Sequence, residues 1–310
     1  MAAPCADAKL DAGTTRLPRN KVEGDIPKIA ISTGGSDSLE CFVRKLGIET
    51  EMTNPGGDGR VHIYQGKNAE GGTTENLDGS KIDGSTPAGS ALWNDAAKLK
   101  TYDIVILACE GTENATTKSQ QARANLKDYL DQGGRLFASH YQYEWFKNGA
   151  APLPSTATWA SDSAADTTND VSVDTTFAKG VAFSDWLDEV NATTAPTSGI
   201  VSMTALRTSV TQVPGAGAAV DTSRRWLYTP SGPKFYSFNT PIGTPPTQQC
   251  GRGVFTDIHV SSGDTRGGIF PANCTTSGST NEERALLFLM MDLASCIQDD
   301  KVPPQPPSIT

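Results

Sequence analysis

The stretch "YDIVILACEG" constrains this chain more than any other. Ile104 to Ala108 are apolar without alternation, and a strand of that kind must be covered on both faces, as in a parallel sheet flanked by helices. The next segment, "KSQQARANLKDYLDQGG", places Ala122, Leu126, Tyr129 and Leu130 on one side of a helix and ends at Gly133 and Gly134. "RLFAS" then gives a second apolar strand, ending at Ser139 and His140. Strand, helix, strand in this order predicts an α/β fold with a flavodoxin-like, doubly wound, mostly parallel sheet and helices on both faces. In such sheets ligands sit beyond the carboxyl ends of the strands, so chemistry is sought there.

The flanking sequence extends the same plan. "PKIAIST" reads as a first strand, and "SDSLECFVRKLGI" as a helix capped by Ser36, with Leu39, Phe42, Val43 and Leu46 on one face. "ETEMTN" offers a short strand. Residues 55–90 read as a long loop or hairpin excursion with "VHIY" as an island; Asp78 and Asp83 lie beside glycines in Asp-Gly turns, without the carboxylate ladder of a calcium loop. An irregular insertion spans about 150–225 and includes a helix at "FAKGVAFSDWLDEV". "RRWLYTP", "KFYSFNT" and "GRGVFTDIHV" follow as strands, the first two forming an antiparallel extension. "NEERALLFLMMDLASCI" is an apolar helix entered through Ser279, Thr280 or Asn281. Residues 1–26 read as a polar segment, 27–300 as one domain, and 301–310 as a proline-rich linker or tail.

Charge and cysteine usage narrow the function class. A net charge of -9 argues against a nucleic-acid partner. The longest apolar block, "ALLFLMMDLA", is interrupted by Asp292, which argues against a membrane span. The first residues lack the apolar core of an intact signal peptide. Abundant Thr, Ser, Gly and Asn with few lysines nevertheless fit an exported bacterial protein, at the cell surface or secreted, in which disulfides are permitted. Cys250 with Cys274 and Cys41 with Cys296 are the expected pairs. The six cysteines show no CxxC spacing and only three histidines are present, so no metal and no cofactor is expected.

The candidate site residues cluster at strand ends. His140 and His259 each follow a predicted buried strand, and the two imidazoles would share a cleft if those strands are neighbours. Ser139 would serve as a nucleophile with His259 as base, oriented by Asp257 or Glu144. Phe137 and Tyr141, two positions either side of Ser139, are too bulky for a tight nucleophile elbow there. Cys109 reads as a buried structural thiol, and Glu110 as an acid or a ligand contact. Gly34 and Gly35 in "STGGSDS" would turn backbone N–H groups towards an anion at a helix start. Tyr141, Tyr143, Trp145 and Phe146 form an aromatic run suited both to a polar ligand and to a core.

Taken in order, "PKIAIST", "YDIVILACEG", "GGRLFASHYQ", "FAKGVAFSDWLDEV" and "GRGVFTDIHV" with its closing helix resemble the class I glutamine amidotransferase-like superfamily. The likeness is strongest to its trehalose-utilization, or ThuA-like, branch and covers roughly Pro27 to Cys296. The overall pattern is also similar to large secreted proteins of myxobacteria. Ser139 stands where an amidotransferase carries its cysteine, and Ser261, not Glu, stands two residues after His259, so glutaminase activity is disfavoured. The resemblance implies that His140 is a cleft residue, and the expected cleft is lined by Gly34, Gly35, Glu110, Ser139, His140, Tyr141 and His259, with Tyr143 and Asp257 also expected to bind the ligand. The expected function is binding or conversion of a carbohydrate or other small polar ligand, with His140 and His259 in acid/base work and Glu110 orienting the substrate. The alternatives are a non-catalytic cell-surface interaction module and a serine hydrolase using Ser139 and His259.

Overall fold

The computed structural model describes residues 16–67, 77–215, 223–260, 267–275, 277–298 and 300. The expectations for residues 1–15, for Cys5, for Ser261 and for the tail from 301 lie outside them. The strands are β1 (Ile29–Ser32), β2 (Met52–Thr53), β3 (Val61–Tyr64), β4 (Ile104–Leu107), β5 (Arg135–Ser139), β6 (Thr158–Ala165), β7 (Asp170–Val173), β8 (Ile200–Ser202), β9 (Arg207–Gln212), β10 (Ser223–Thr229), β11 (Gly232–Thr240) and β12 (Gly251–Thr256). Ten of them form one sheet in the order β2-β3-β1-β4-β5-β12-β11-β10-β7-β8, while β6 and β9 pair separately. From β2 to β12 all neighbours are parallel, and from β12 to β8 all are antiparallel. The fold is the flavodoxin-like α/β sheet expected from the sequence, with its antiparallel extension.

The apolar strands explain the layering. Successive side chains of a strand point to opposite faces, and here they feed two separate cores. Ile29, Ile31, Ile104, Ile106, Phe137 and Val254 enter one core, with Phe42, Phe183, Leu286 and Leu289 from the helices Leu39–Val43, Ala178–Glu189 and Asn281–Ala294. Ala30, Val105, Leu107, Leu136, Ala138 and Phe255 enter the other, with Leu126 and Leu130 from the helix Gln120–Asp131. Ser119 starts that helix by accepting the Ala122 N–H, and Gly133, at φ +104°, ends it. Thr280 starts the last helix through a capping box with Glu283.

Several local expectations are corrected. The "VHIY" segment is no hairpin but β3, fully buried between β2 and β1. Asp83 accepts hydrogen bonds from Ser85 and Asn54 in a turn instead of shaping a strand pair. The first helix begins at Leu39 with Ser38, not Ser36, at its N-cap position. The insertion is more ordered than expected: β7 and β8 extend the main sheet, and β6 and β9 make their own antiparallel pair. The disulfide joins Cys41 to Cys274, so neither expected pair forms. Cys274 packs beside the first helix, whereas Cys250 is exposed next to Asp131 and Gly133 just before β12.

Candidate functional site

Three adjacent parallel strands deliver the chemistry. β4 ends just before Cys109, β5 just before His140, and β12 leads through Asp257 and Ile258 to His259. The register of β12 on β5, with Thr256 beside Ser139, brings residues 119 positions apart to the same sheet edge. His140 Nδ1 lies 3.3 Å from Cys109 Sγ and 3.2 Å from His259 Nε2. All three atoms lie within 4.8 Å of one another. Cys109 and His140 are buried, and His259 is partly exposed, which opens the cluster to water on one side.

The backbone at His140 is strained. Its φ is +45°, a left-handed conformation costing a non-glycine residue about 1–3 kcal/mol. Ser139 before it is ordinary extended chain. The tight strand-to-helix turn is therefore centred on His140, with small Ala138 two positions before it and Gln142 two positions after. Gly34 closes the site from below: a Cβ there would stand 2.0 Å from the Cys109 carbonyl oxygen, so only glycine fits.

Hydrogen bonding assigns protons to the imidazoles. His259 Nδ1 lies 3.2 Å from the Ala205 carbonyl, which only accepts, so Nδ1 carries the proton and Nε2 presents a lone pair. His140 Nε2 lies 2.6 Å from Ser163 Oγ, Ser163 Oγ 2.8 Å from Ser209 Oγ, and Ser209 donates to Asp257 Oδ1 at 2.7 Å. With Asp257 ionised, the chain runs His140 to Ser163 to Ser209 to Asp257, every hydroxyl donating onward. His140 Nδ1 then presents a lone pair that the Cys109 thiol can fill as donor, beside the lone pair of His259. With Asp257 protonated the chain reverses, and a single proton bridges the imidazoles. Burial pushes the Asp257 carboxyl up; the two Ser209 hydrogen bonds and the Lys234 charge oppose it.

The electrostatics match this enclosure. Burial, with His259 and Arg207 acting in the same direction, drives His140 down to about 2, so it is a neutral imidazole. Burial also pushes the Cys109 thiol up to about 12. A thiolate–imidazolium pair is therefore not formed by Cys109 and His140 alone.

The remaining sequence candidates have other partners. The Ser139 hydroxyl is fully buried and donates to Asp37 at 2.6 Å, away from both imidazoles, so the Ser139–His259 pair of a serine hydrolase is not assembled. Asp257 does not touch His259; it terminates the hydroxyl chain to His140. Glu144 pairs with Arg123. Glu110 is held 2.8 Å from the buried Lys118 ammonium and also accepts from Asn114, so it braces the loop behind Cys109. The Gly35 and Ser36 N–H groups donate to the carbonyls of Lys67 and Cys109, which leaves neither for an anion. The aromatic run divides: Trp145 and Phe146 are core, Tyr143 donates to Glu113, and the partly exposed Tyr141 ring lies tilted by 43° against the His140 ring, 4.1 Å between centroids.

Sequence reasoning missed Ser163, Ser209 and the role of Cys109. The first two lie on β6 and β9 in a polar insertion without distinctive spacing. For Cys109 the signal was present, a cysteine just past a buried strand, but it mattered only once the strand order was known.

No family model matches the chain, and no curated protein matches it. Among solved structures it is similar to a ThuA-like protein from Bacteroides uniformis, at 13% identity over 92% of this chain and 95% of that one, with a TM-score of 0.41. It is also similar to a cytoplasmic protein from Salmonella typhimurium, at 11% identity over 86% of this chain and 98% of that one, with a TM-score of 0.40.

Proposed function

We propose that this chain is a metal-dependent α/β domain in which Cys109, His140 and His259 hold a zinc-type ion that binds or acts on a small polar ligand. The single observation that carries the reading is the convergence of three ligand atoms, with both outward imidazole nitrogens already engaged by Ser163 and Ala205. Around a tetrahedral zinc, two imidazole nitrogens stand roughly 3.3 Å apart and a nitrogen and a thiolate sulfur roughly 3.6 Å apart. The observed 3.2 and 3.3 Å fall close to both, and the third pair, Cys109 with His259, lies within 4.8 Å and would close further around an ion. The Ser163–Ser209–Asp257 chain supplies the outer support that metal-bound imidazoles characteristically have.

Three protein ligands leave a fourth position for water or substrate, the arrangement of catalytic rather than structural zinc. A metal there would polarise a bound oxygen and hold the Cys109 sulfur as thiolate despite its burial. The sequence argument against a metal sought short ligand spacing; this set is drawn from three strand ends instead. Tyr141, tilted against His140, is partly exposed and offers a ring suited to a sugar-like ligand. The Cys41–Cys274 disulfide supports export to an oxidising compartment.

Equilibrium dialysis against zinc followed by elemental analysis tests the reading. One tightly held ion per chain is expected in the wild type, and loss of it in His140→Ala and in His259→Ala. Retention of the ion by both variants would remove the reading.

A further inference from the structure

Two polar side chains beside the imidazole pair have no partner of their own. Among the described residues the Arg207 guanidinium takes part in no hydrogen bond or ion pair, and the Tyr141 hydroxyl takes part in no hydrogen bond. Both residues are partly exposed. Among the described residues, Arg123, Arg225 and Arg252 are by contrast paired with carboxylates.

The backbone fixes where Arg207 lies. Two residues before it, the Ala205 carbonyl faces His259 Nδ1 at 3.2 Å; two residues after it, Ser209 belongs to the hydroxyl chain that reaches His140. Along β9, residues 207 and 209 share a face, so the arginine points to the side on which Ser209 meets Ser163. Its position is pinned by main-chain bonds, from Arg207 N to the Asp257 carbonyl at 3.2 Å and from Lys234 Nζ to the Arg207 carbonyl at 2.6 Å. Its charge is felt by both the His140 and Tyr141 rings. The main chain thus anchors a cationic side chain beside the cluster, on a protein whose net charge is -9.

We infer that the ligand of this site carries an oxyanion group, a carboxylate or a phosphate, held by the Arg207 guanidinium with the Tyr141 hydroxyl as a second donor. This inference rests on reading the strand-end cluster as a ligand site, and it narrows the small polar ligand to an anionic one. A planar guanidinium offers two parallel N–H donors that match either group, and an uncommitted one breaks no existing ion pair when it binds.

The test is titration of inorganic phosphate and of acetate into the cobalt-loaded and the metal-free protein, followed by calorimetry and, in the loaded form, by the cobalt visible bands. Wild type, Arg207→Gln and Arg207→Lys are compared. Because the bonds anchoring residue 207 are main-chain, both variants are expected to melt like the wild type. At least one anion should bind the wild type in both forms. Arg207→Gln should weaken that binding by about tenfold or more, the loss of a charge-assisted pair of hydrogen bonds, and Arg207→Lys by less. Tighter binding of phosphate identifies the doubly charged group as the ligand class; tighter binding of acetate identifies a carboxylate. Equal affinity in wild type and Arg207→Gln, or no anion binding in either form, would overturn the inference. If cobalt does not bind, the metal reading fails by itself, and the metal-free titrations still decide the role of Arg207.

Discussion

Glu110 illustrates how a residue at the right edge can serve the fold instead of the chemistry. It was legible in the sequence as a strand-end acid, but its partner Lys118 is eight residues on and fully buried with it. Removing one member of a buried ion pair leaves an uncompensated charge and costs about 3–5 kcal/mol. Glu110→Ala should therefore lower stability by that order in urea unfolding, whereas replacing both partners by apolar residues should recover most of the loss. Glu40 behaves differently. It is wholly buried, its Oε1 accepts from Asn273, its Oε2 has no partner among the described residues, and burial raises its carboxyl from 4.5 to about 7. The folded state thus holds this proton more tightly than the unfolded chain does. The resulting stability is complete below about pH 4.5 and is lost as pH rises through about 7. Denaturation between pH 5 and 8 should show a decline on the order of 3 kcal/mol at most, flattened in Glu40→Gln; an unchanged slope in that variant would assign the decline to other groups.

At the scale of elements, the parallel strands were readable because their residues are apolar without a break, and the paired helices because their apolar positions recur at helical spacing. What could not be read was which strands are neighbours. His140 and His259 were visible as strand-end histidines, yet their meeting depends on β12 pairing with β5, a contact between segments far apart along the chain. The β6–β9 pair was less legible still, since "TWASDSAA" and "RTSVTQ" are polar and half-exposed. It nonetheless carries Ser163 and Ser209. Ser163→Ala removes the group that His140 Nε2 meets at 2.6 Å and should loosen metal affinity by about 10–100-fold, the usual loss for such outer partners. Zinc competition against a chromophoric chelator measures it. The metal-free mutant should stay folded and lose about 1–3 kcal/mol, the cost of leaving Nε2 of the buried His140 without its partner.

For the whole molecule, the Cys41–Cys274 disulfide ties the first helix to the segment preceding the last, across a sequence separation of 233. Closing so long a loop restricts the unfolded chain most, and removing a native disulfide costs about 2–5 kcal/mol in small domains. Reduction should accordingly lower the unfolding midpoint, and Cys41→Ala with Cys274→Ala should reproduce the reduced protein. The same cross-link leaves the strand-end cluster untouched, because Cys109 is a separate, buried thiol. That thiol gives the central claim its most direct test: the visible and near-ultraviolet spectrum of the cobalt-loaded protein. The account predicts tetrahedral cobalt bands together with a thiolate-to-cobalt charge-transfer band, the latter absent in Cys109→Ser. Cobalt that stays octahedral, or a charge-transfer band that survives in Cys109→Ser, would contradict a metal centre built from the ends of β4, β5 and β12.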